Sequence, residues 1–305
     1  MGRGWGEIGY VGGMTRLLIL VCLAGTLAGQ TAVELKVAAV QFRSSFEVTD
    51  NRDRIIAVLE RLAGEGVRVA VFPECALTGY HKREVMAPTA EEIAEAEGAI
   101  AAACRRRGIA AVVGSIYKTN GKTFNTAVVI DAKGGVVERY GKVMLAGEKW
   151  AAPGNHIALF ELEGVKSTVI ICHDERYPEL VRLPALEGAR LVYYISSESG
   201  MLEESKLAPY RAQMMARAVE NRVFVVAANS PADARDLKGS SHGQSRIIRD
   251  DGNVIQEASY FGEDVLVETL RIAPGRLTRP LEGLMGGWWR SGVEWMRGNA
   301  GRKLE

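Results

Sequence analysis

The sequence predicts a mixed α/β fold. Apolar, β-branched runs alternate with segments of helical period through most of the chain. One pair of runs is joined by a short glycine turn, and the chain closes in consecutive strands. Alternation of strand and helix favours parallel neighbours, whereas tight turns force antiparallel ones, so the expected sheets are mixed.

Residues 35–42 (L-K-V-A-A-V-Q-F) read as a central strand. From about Asn51, Ile55, Ile56, Leu59 and Leu62 recur on one helical face, and Gly64 and Gly66 end the run. Residues 67–72 form the next strand and break at F-P-E, where Pro73 stops the ladder and Glu74 stands at the strand's C-terminal edge. Thr89 with Glu92 spells a capping box for an alanine-rich helix closed by Gly108. A strand at 109–117 follows, then two antiparallel strands, 123–131 and 136–140, joined by A-K-G-G. Residues 139–154 lack a clean period and read as a structured loop carrying Lys142 and Glu148. Strand 167–172 leads into a helix at 178–188, which Pro184 should kink or shorten. Strand 189–196, helix 206–221 and strand 223–229 come next; Met214, Met215, Ala218 and Val219 share one helix face, the methionines as core filler. Runs at 243–249, 253–259 and 264–268, with D-D-G-N as a hairpin turn, complete the chain's β-rich end.

The chain has 305 residues and 47% hydrophobic content, enough for one large domain or two smaller ones. Lys+Arg (38) and Asp+Glu (37) nearly cancel, which leaves no basic excess for nucleic acid and points to a small-molecule partner. In residues 1–30, Arg3 and Arg16 precede the apolar run 17–27, and the small residues Ala24, Gly25, Ala28 and Gly29 accompany its end. This pattern predicts a signal peptide and an exported, periplasmic or secreted protein; an uncleaved hydrophobic anchor is the alternative, and only then would the chain meet a membrane. Met14 as the true start would give a shorter and more conventional signal, whereas a wrongly extended start would leave room for a cytoplasmic protein. Loss of Cys22 with that segment leaves Cys75, Cys104 and Cys172, an odd number with no metal-type spacing, so at least one thiol stays free. Residues 276–305 form a tail in which Trp288, Trp289 and Trp295 lie among glycines and arginines, suited either to a subunit interface or to packing over the chain's own domain.

The chemistry concentrates at V-I-I-C-H-D-E-R-Y-P-E, residues 169–179, where a strand delivers Cys172 into a polar cluster. On this stretch alone a buried packing thiol and a nucleophile are equally good readings. A thiol attacks carbon only as a thiolate, so it needs a base or a cation beside it, and the charge that develops on the attacked group needs a fixed donor. Glu74 can take the thiol proton and return it to a leaving amine, while Lys142 and the His173 backbone N–H can hold an oxyanion. Among the four histidines, His173 would face away from Cys172 if the strand continued, and His242 is the other possible base.

Three segments, F-P-E at 72–74, Y-G-K at 140–142 and I-C-H-D-E-R-Y-P-E at 171–179, resemble in order and separation the signature motifs of the nitrilase superfamily, the carbon–nitrogen hydrolases. F-N-T-A-V-V-I-D at 124–131, A-R-A-V-E-N at 216–221 and G-Q-S at 243–245 extend the similarity over about residues 35–270. The resemblance implies one hydrolase domain at 33–275, a four-layer α-β-β-α sandwich, and assembly as a homodimer or higher homo-oligomer. It also implies a Glu74–Lys142–Cys172 triad without metal or organic cofactor. Glu148 is the best match to a second glutamate near the substrate, although Met144 stands where a histidine is common. Arg176 and Tyr177 are expected at the pocket's border, Arg176 alternatively as a structural ion-pair partner. C-H-D-E-R-Y-P-E is closer to the amidase and carbamoyl-hydrolysing branches than to true nitrilases, where Trp-Glu usually follows the cysteine. The expected substrate is therefore a small amide or carbamoyl compound. An N-carbamoyl amide hydrolase or a nitrilase is the rival within the superfamily; a catalytically inactive binding or scaffold protein of the same fold is the rival of another class. On these grounds Glu74→Gln and Lys142→Ala are expected to lose turnover with little change in melting temperature.

Overall fold

A computed structural model describes residues 32–199, 204–273, 287–299 and 301. The N-terminal segment with its signal-like run, and the side chains of Trp288 and Trp289, lie outside the described residues.

The first half of the chain builds β1 (Val33–Gln41), β2 (Val69–Val71), β3 (Ala110–Thr119), β4 (Lys122–Ile130) and β5 (Val136–Gly141). β1, β2 and β3 are parallel, and β3, β4 and β5 are antiparallel. The turn between β4 and β5 is the expected A-K-G-G, with Gly134 in the left-handed region at φ 80°. The second sheet contains β6 (Phe160–Leu162), β7 (Val165–Ile171), β8 (Leu191–Ser196), β9 (Phe224–Asn229), β10 (Arg246–Ile248) and β11 (Val254–Glu257). There β7, β8 and β9 are parallel, while β6, β10 and β11 pair antiparallel to their neighbours. The last strand, β12 (Asp264–Ile272), returns to the first sheet and pairs antiparallel with β1 over its whole length.

Alternation along the strands sorts the core into layers, because successive side chains leave a strand on opposite faces. Val37, Ala39, Val69, Val71, Val112 and Val129 of the first sheet meet Val169, Ile171, Leu191, Tyr193, Ile195 and Val226 of the second. Ala38, Val40, Ala70, Ala111 and Val113 face the other way, against Ile55, Leu59, Leu62, Ile93, Ile100 and Cys104 of α1 (Val48–Gly64) and α3 (Ala90–Arg107). On the outer face of the second sheet, Ile170, Val192, Tyr194 and Val225 pack against α4 (Glu179–Leu186), α5 (Glu204–Asn221) and α6 (Gly287–Asn299). The result is the four-layer α-β-β-α sandwich.

Local signals explain the helix ends. Thr89 Oγ1 accepts from the Glu92 N–H at 3.2 Å and the Glu92 carboxylate accepts from the Thr89 N–H at 2.8 Å; Gly108 closes α3 at φ 65°. Pro184 lies inside α4, which runs only eight residues. The five-residue α2 (Lys82–Met86) and three-residue β6 are too short to generate a periodic pattern, and neither was expected.

Two expectations need correction. Met214 and Ala218 are buried and Met215 packs against the same cluster, but Val219 is 46% exposed, because it sits at the edge of the face beside the Gly252 turn. The strand carrying Cys172 also does not continue: Cys172 takes φ 48° and opens a 3₁₀ turn, Cys172–Arg176, so an alternating-face argument does not apply to His173. In the tail, α6 lies on the chain's own surface. Met296 is buried, Gly292 sits against Leu183, and Arg297 makes a bidentate pair with Glu187 at 2.8–3.0 Å. Trp295, on the same helix, is 49% exposed.

Candidate active site

Each expected catalytic residue follows a strand end. Glu74 lies just beyond β2, Lys142 directly after β5, and Cys172 directly after β7. The F-P-E turn fits because Gly114 of β3 has no side chain: a Cβ there would lie 2.0 Å from the Pro73 carbonyl oxygen and 2.4 Å from the Cys75 nitrogen. Gly154 does the same for Lys142, since its Cβ would lie 2.1 Å from the Gly141 carbonyl oxygen, and its N–H donates to the Lys142 carbonyl at 2.8 Å.

The structure brings Glu74, Lys142 and Glu148 into direct contact. Glu74 is 1% exposed; its Oε1 accepts from Lys142 Nζ at 2.9 Å and Asn125 Nδ2 at 2.7 Å, and its Oε2 accepts from the Ser197 backbone N–H at 2.8 Å. Lys142 is fully buried and also donates to Glu148 Oε1, which accepts in addition from the Tyr80 hydroxyl at 3.1 Å. Burial alone would pull the Lys142 ammonium down, but the charge that Cys172 carries once ionised, with those of Glu74 and Glu148, outweighs it and holds the lysine well above its ordinary value. Burial likewise pushes Glu148 up, and the Lys142 charge and hydrogen bond, with the Ala146 N–H, bring it below the usual carboxylate range. Two carboxylates thus share one ammonium.

Cys172 is 7% exposed, the least covered of the three described cysteines, all of which are free thiols. Burial pushes its thiol well up, the Glu74 charge adds to this, and Lys142 opposes it. At neutral pH this is a thiol waiting for a base. Its positive φ is a strained conformation for a residue with a Cβ, of the kind that persists where the surrounding structure enforces it.

Asp174 does that enforcing, and sequence reasoning assigned it no role. It is fully buried, with Oδ2 accepting from the Tyr140 hydroxyl at 2.8 Å and the Ile171 N–H at 3.0 Å, and Oδ1 accepting from the Met144 N–H at 2.8 Å. One carboxylate therefore ties the segment on either side of Lys142 to the segment before Cys172. Burial raises Asp174 to about 6, against these hydrogen bonds. Because its folded pKa lies above the unfolded one, this group makes stability fall as pH rises from about 4 through 6, and the cost of holding it ionised stays in full above that. Asp174→Asn removes that slope but cannot accept at both oxygens. The expected outcome is a loss of about 1–3 kcal/mol in urea unfolding at pH 5 and a smaller loss at pH 8, with reduced kcat at both.

The other expected residues divide. His173 is half-buried with its ring edge against Tyr177 at 5.8 Å, and burial, Arg176 and Lys142 hold it below its usual value. Tyr177 packs against the outer core of the second sheet. Arg176 is exposed and lies over the Tyr210 ring at 5.4 Å. His242 is buried on Glu198 at 2.9 Å. Asn125, in the F-N-T segment at 124–126, and Ser197 hold Glu74 without a sequence signal of their own, because a supporting amide carries none until its partner's place is known.

The profile described as "Carbon-nitrogen hydrolase" matches residues 36–279, which includes every residue of this cluster. The chain belongs to the carbon–nitrogen hydrolase family. This hydrolase is 30% identical over 194 residues to a 2-oxoglutaramate amidase of Bacillus subtilis, covering 62% of this chain and 73% of the relative. It is 29% identical over 242 residues to the omega-amidase NIT2 of Danio rerio, covering 74% and 84%. Among solved structures, an amidase from Nesterenkonia sp. superposes with a TM-score of 0.72 at 26% identity, covering 83% of this chain and 96% of the amidase. Saccharomyces cerevisiae Nit3, at 22% identity and a TM-score of 0.68, shares the fold.

Proposed function

We propose that this carbon–nitrogen hydrolase cleaves the amide bond of a small molecule through a thioester on Cys172. The observation that carries the reading is the buried Glu74–Lys142–Glu148 array beside a strained, protonated Cys172. Similarity to amidases among relatives and solved structures supports the amide as the bond. Glu74 takes the Sγ proton as Sγ bonds to the carbonyl carbon, and the C=O electron pair moves onto oxygen. The Lys142 ammonium and the His173 N–H, at the open N-terminal end of its 3₁₀ turn, face that charge. Collapse expels the amine, which carries the proton from Glu74, and leaves the acyl thioester. Glu74 then deprotonates a water that attacks the thioester, returning the proton to Sγ as the acid departs. Glu148 keeps Lys142 fixed and charged throughout.

The test is a screen of small amides, carbamoyl compounds and nitriles for ammonia release, with Cys172→Ala as the blank. Release from amides without carbon dioxide supports the reading; release only from nitriles, or with carbon dioxide, overturns it in favour of the rival branches. We also propose export, on the arginines and apolar run of residues 1–30, and self-association, on exposed Trp295. The mass of the mature N-terminus tests the first and light scattering the second.

A further inference from the structure

Ser197 lends its N–H to Glu74; the next residue, Glu198, fronts a separate small cavity behind the nucleophile. The cavity, about 10 Å³, is lined by Tyr194, Tyr210, Asn229, His242 and Arg246 as well as Glu198. It has room for about one water-sized group. One tyrosine separates it from the attacking residue: the Tyr194 hydroxyl donates to Glu198 Oε1 and lies 3.4 Å from the Cys172 carbonyl oxygen.

The polar groups around this cavity are short of donors. Glu198 Oε2 accepts from His242 Nε2 at 2.9 Å; His242 is 2% exposed and its other ring nitrogen, Nδ1, has no partner among the described residues. Glu175, outside the lining but interacting with Glu198, is fully buried and neither of its oxygens receives a hydrogen bond among the described residues. Burial and the Glu198 charge push its carboxyl well above the usual carboxylate range. Buried acceptors left without donors are costly and call for a partner. Asn229 accepts from the Ser196 and Ser241 hydroxyls and donates to the Gly243 carbonyl; Arg246, which also lines the cavity and interacts with the Glu198 charge, donates through Nε to the Gln244 carbonyl at 3.0 Å and lies 3.5 Å from Glu257. The face of Tyr210, stacked on His242 at 5.9 Å, adds a π surface beside the Glu198 carboxylate.

We propose that this cavity is the subsite for a primary ammonium carried by the acyl chain of the substrate, with Glu198 as its counter-charge and His242 Nδ1 as its second acceptor. An ammonium is water-sized, supplies three donors and no acceptor, and gains charge-assisted hydrogen bonds here. The substrates are then amides of short amino acids, the amine a few bonds from the scissile carbonyl. The inference rests on the amide-hydrolase reading with Cys172 as nucleophile.

The experiment measures kcat/KM for glycinamide, 3-aminopropanamide and 4-aminobutanamide against their methyl isosteres propanamide, butanamide and pentanamide. At one chain length the amino amide should exceed its isostere by about tenfold or more. N-trimethylation of that amine, too large for the cavity, should abolish the preference. Glu198→Gln should bring the ratio to about one; the wild-type ladder decides the matter by itself if that variant fails to fold. Hydrolysis of neutral amides with no ammonium preference at any length, or a preference that survives in folded Glu198→Gln, overturns the subsite and leaves the amide-hydrolase reading standing. Hydrolysis of none of the six overturns both.

Discussion

Cys172→Ala should release no ammonia above background from any substrate of the wild-type enzyme, while its circular dichroism and melting temperature stay near those of the wild type. No described neighbour can replace the thiol: Cys75 and Cys104 are fully buried, and burial pushes both thiols up. The substitution removes one sulfur from a site already tightly enclosed, so its structural cost is small. Cys172→Gly should be equally inactive and more stable than the alanine variant by about 1 kcal/mol, because glycine adopts φ 48° without the Cβ penalty. Activity in either variant would remove the thioester from the mechanism. A glycine variant less stable than alanine would show that the left-handed conformation there carries no strain.

Lys142→Ala should cost both activity and stability. Viewed from sequence, Lys142 is a loop lysine whose loss leaves the melting temperature alone; the structure revises that expectation, because the ammonium is fully buried between Glu74 and Glu148. Removing it leaves two buried carboxylates facing each other, and breaking a buried pair in this way costs about 3–5 kcal/mol. Turnover should fall about 10²–10³-fold, the usual consequence of losing one oxyanion donor. In the wild type, Glu148 lies below its ordinary value and stabilises the fold above the carboxylate range, an effect lost as pH falls. Without the lysine the sign reverses: the two carboxylates repel, their protonation is favoured in the folded state, and the deficit should shrink as pH is lowered. Glu148→Gln in the Lys142→Ala background should therefore recover stability without recovering turnover. A double variant as unstable as the single one would mean that the carboxylates are not repelling across the gap.

Much of the fold was readable because its signals are local. Thr89 and Glu92 announce a cap, A-K-G-G and D-D-G-N announce turns, and strand runs at 35–42 and 189–196 are apolar enough to be sheet interiors. The residues of the proposed triad stand out in sequence because each follows a strand and the motifs carry their own order. What escaped depended on contacts between distant residues. Asp174 and Glu175 stand in the same polar cluster as Cys172, and nothing in their spacing says that both are fully buried. Glu198 and His242 lie 44 residues apart and become a pair only when the chain leaving β8 and the loop before β10 meet. Val219 shows the opposite failure: a helical face drawn from periodicity is wider than the strip a sheet can cover.

The return of β12 to β1 has a consequence for how the molecule can be made and cut. The first sheet is assembled from residues 33–141 in one pass, but its remaining strand arrives only after the whole second sheet has been synthesised. Leu266, Leu270 and Ile272 of that late strand belong to the same inter-sheet core as Leu35 and Val37. A chain halted after β11 thus has every side chain of the proposed triad yet leaves the β1 edge unpaired and the core open to solvent on that flank. The closing step joins residues more than two hundred positions apart, the kind of contact that makes folding slow. The two sheets follow one another in sequence like separable modules, but the final strand stitches them into a single cooperative body that cannot be divided between β5 and β6.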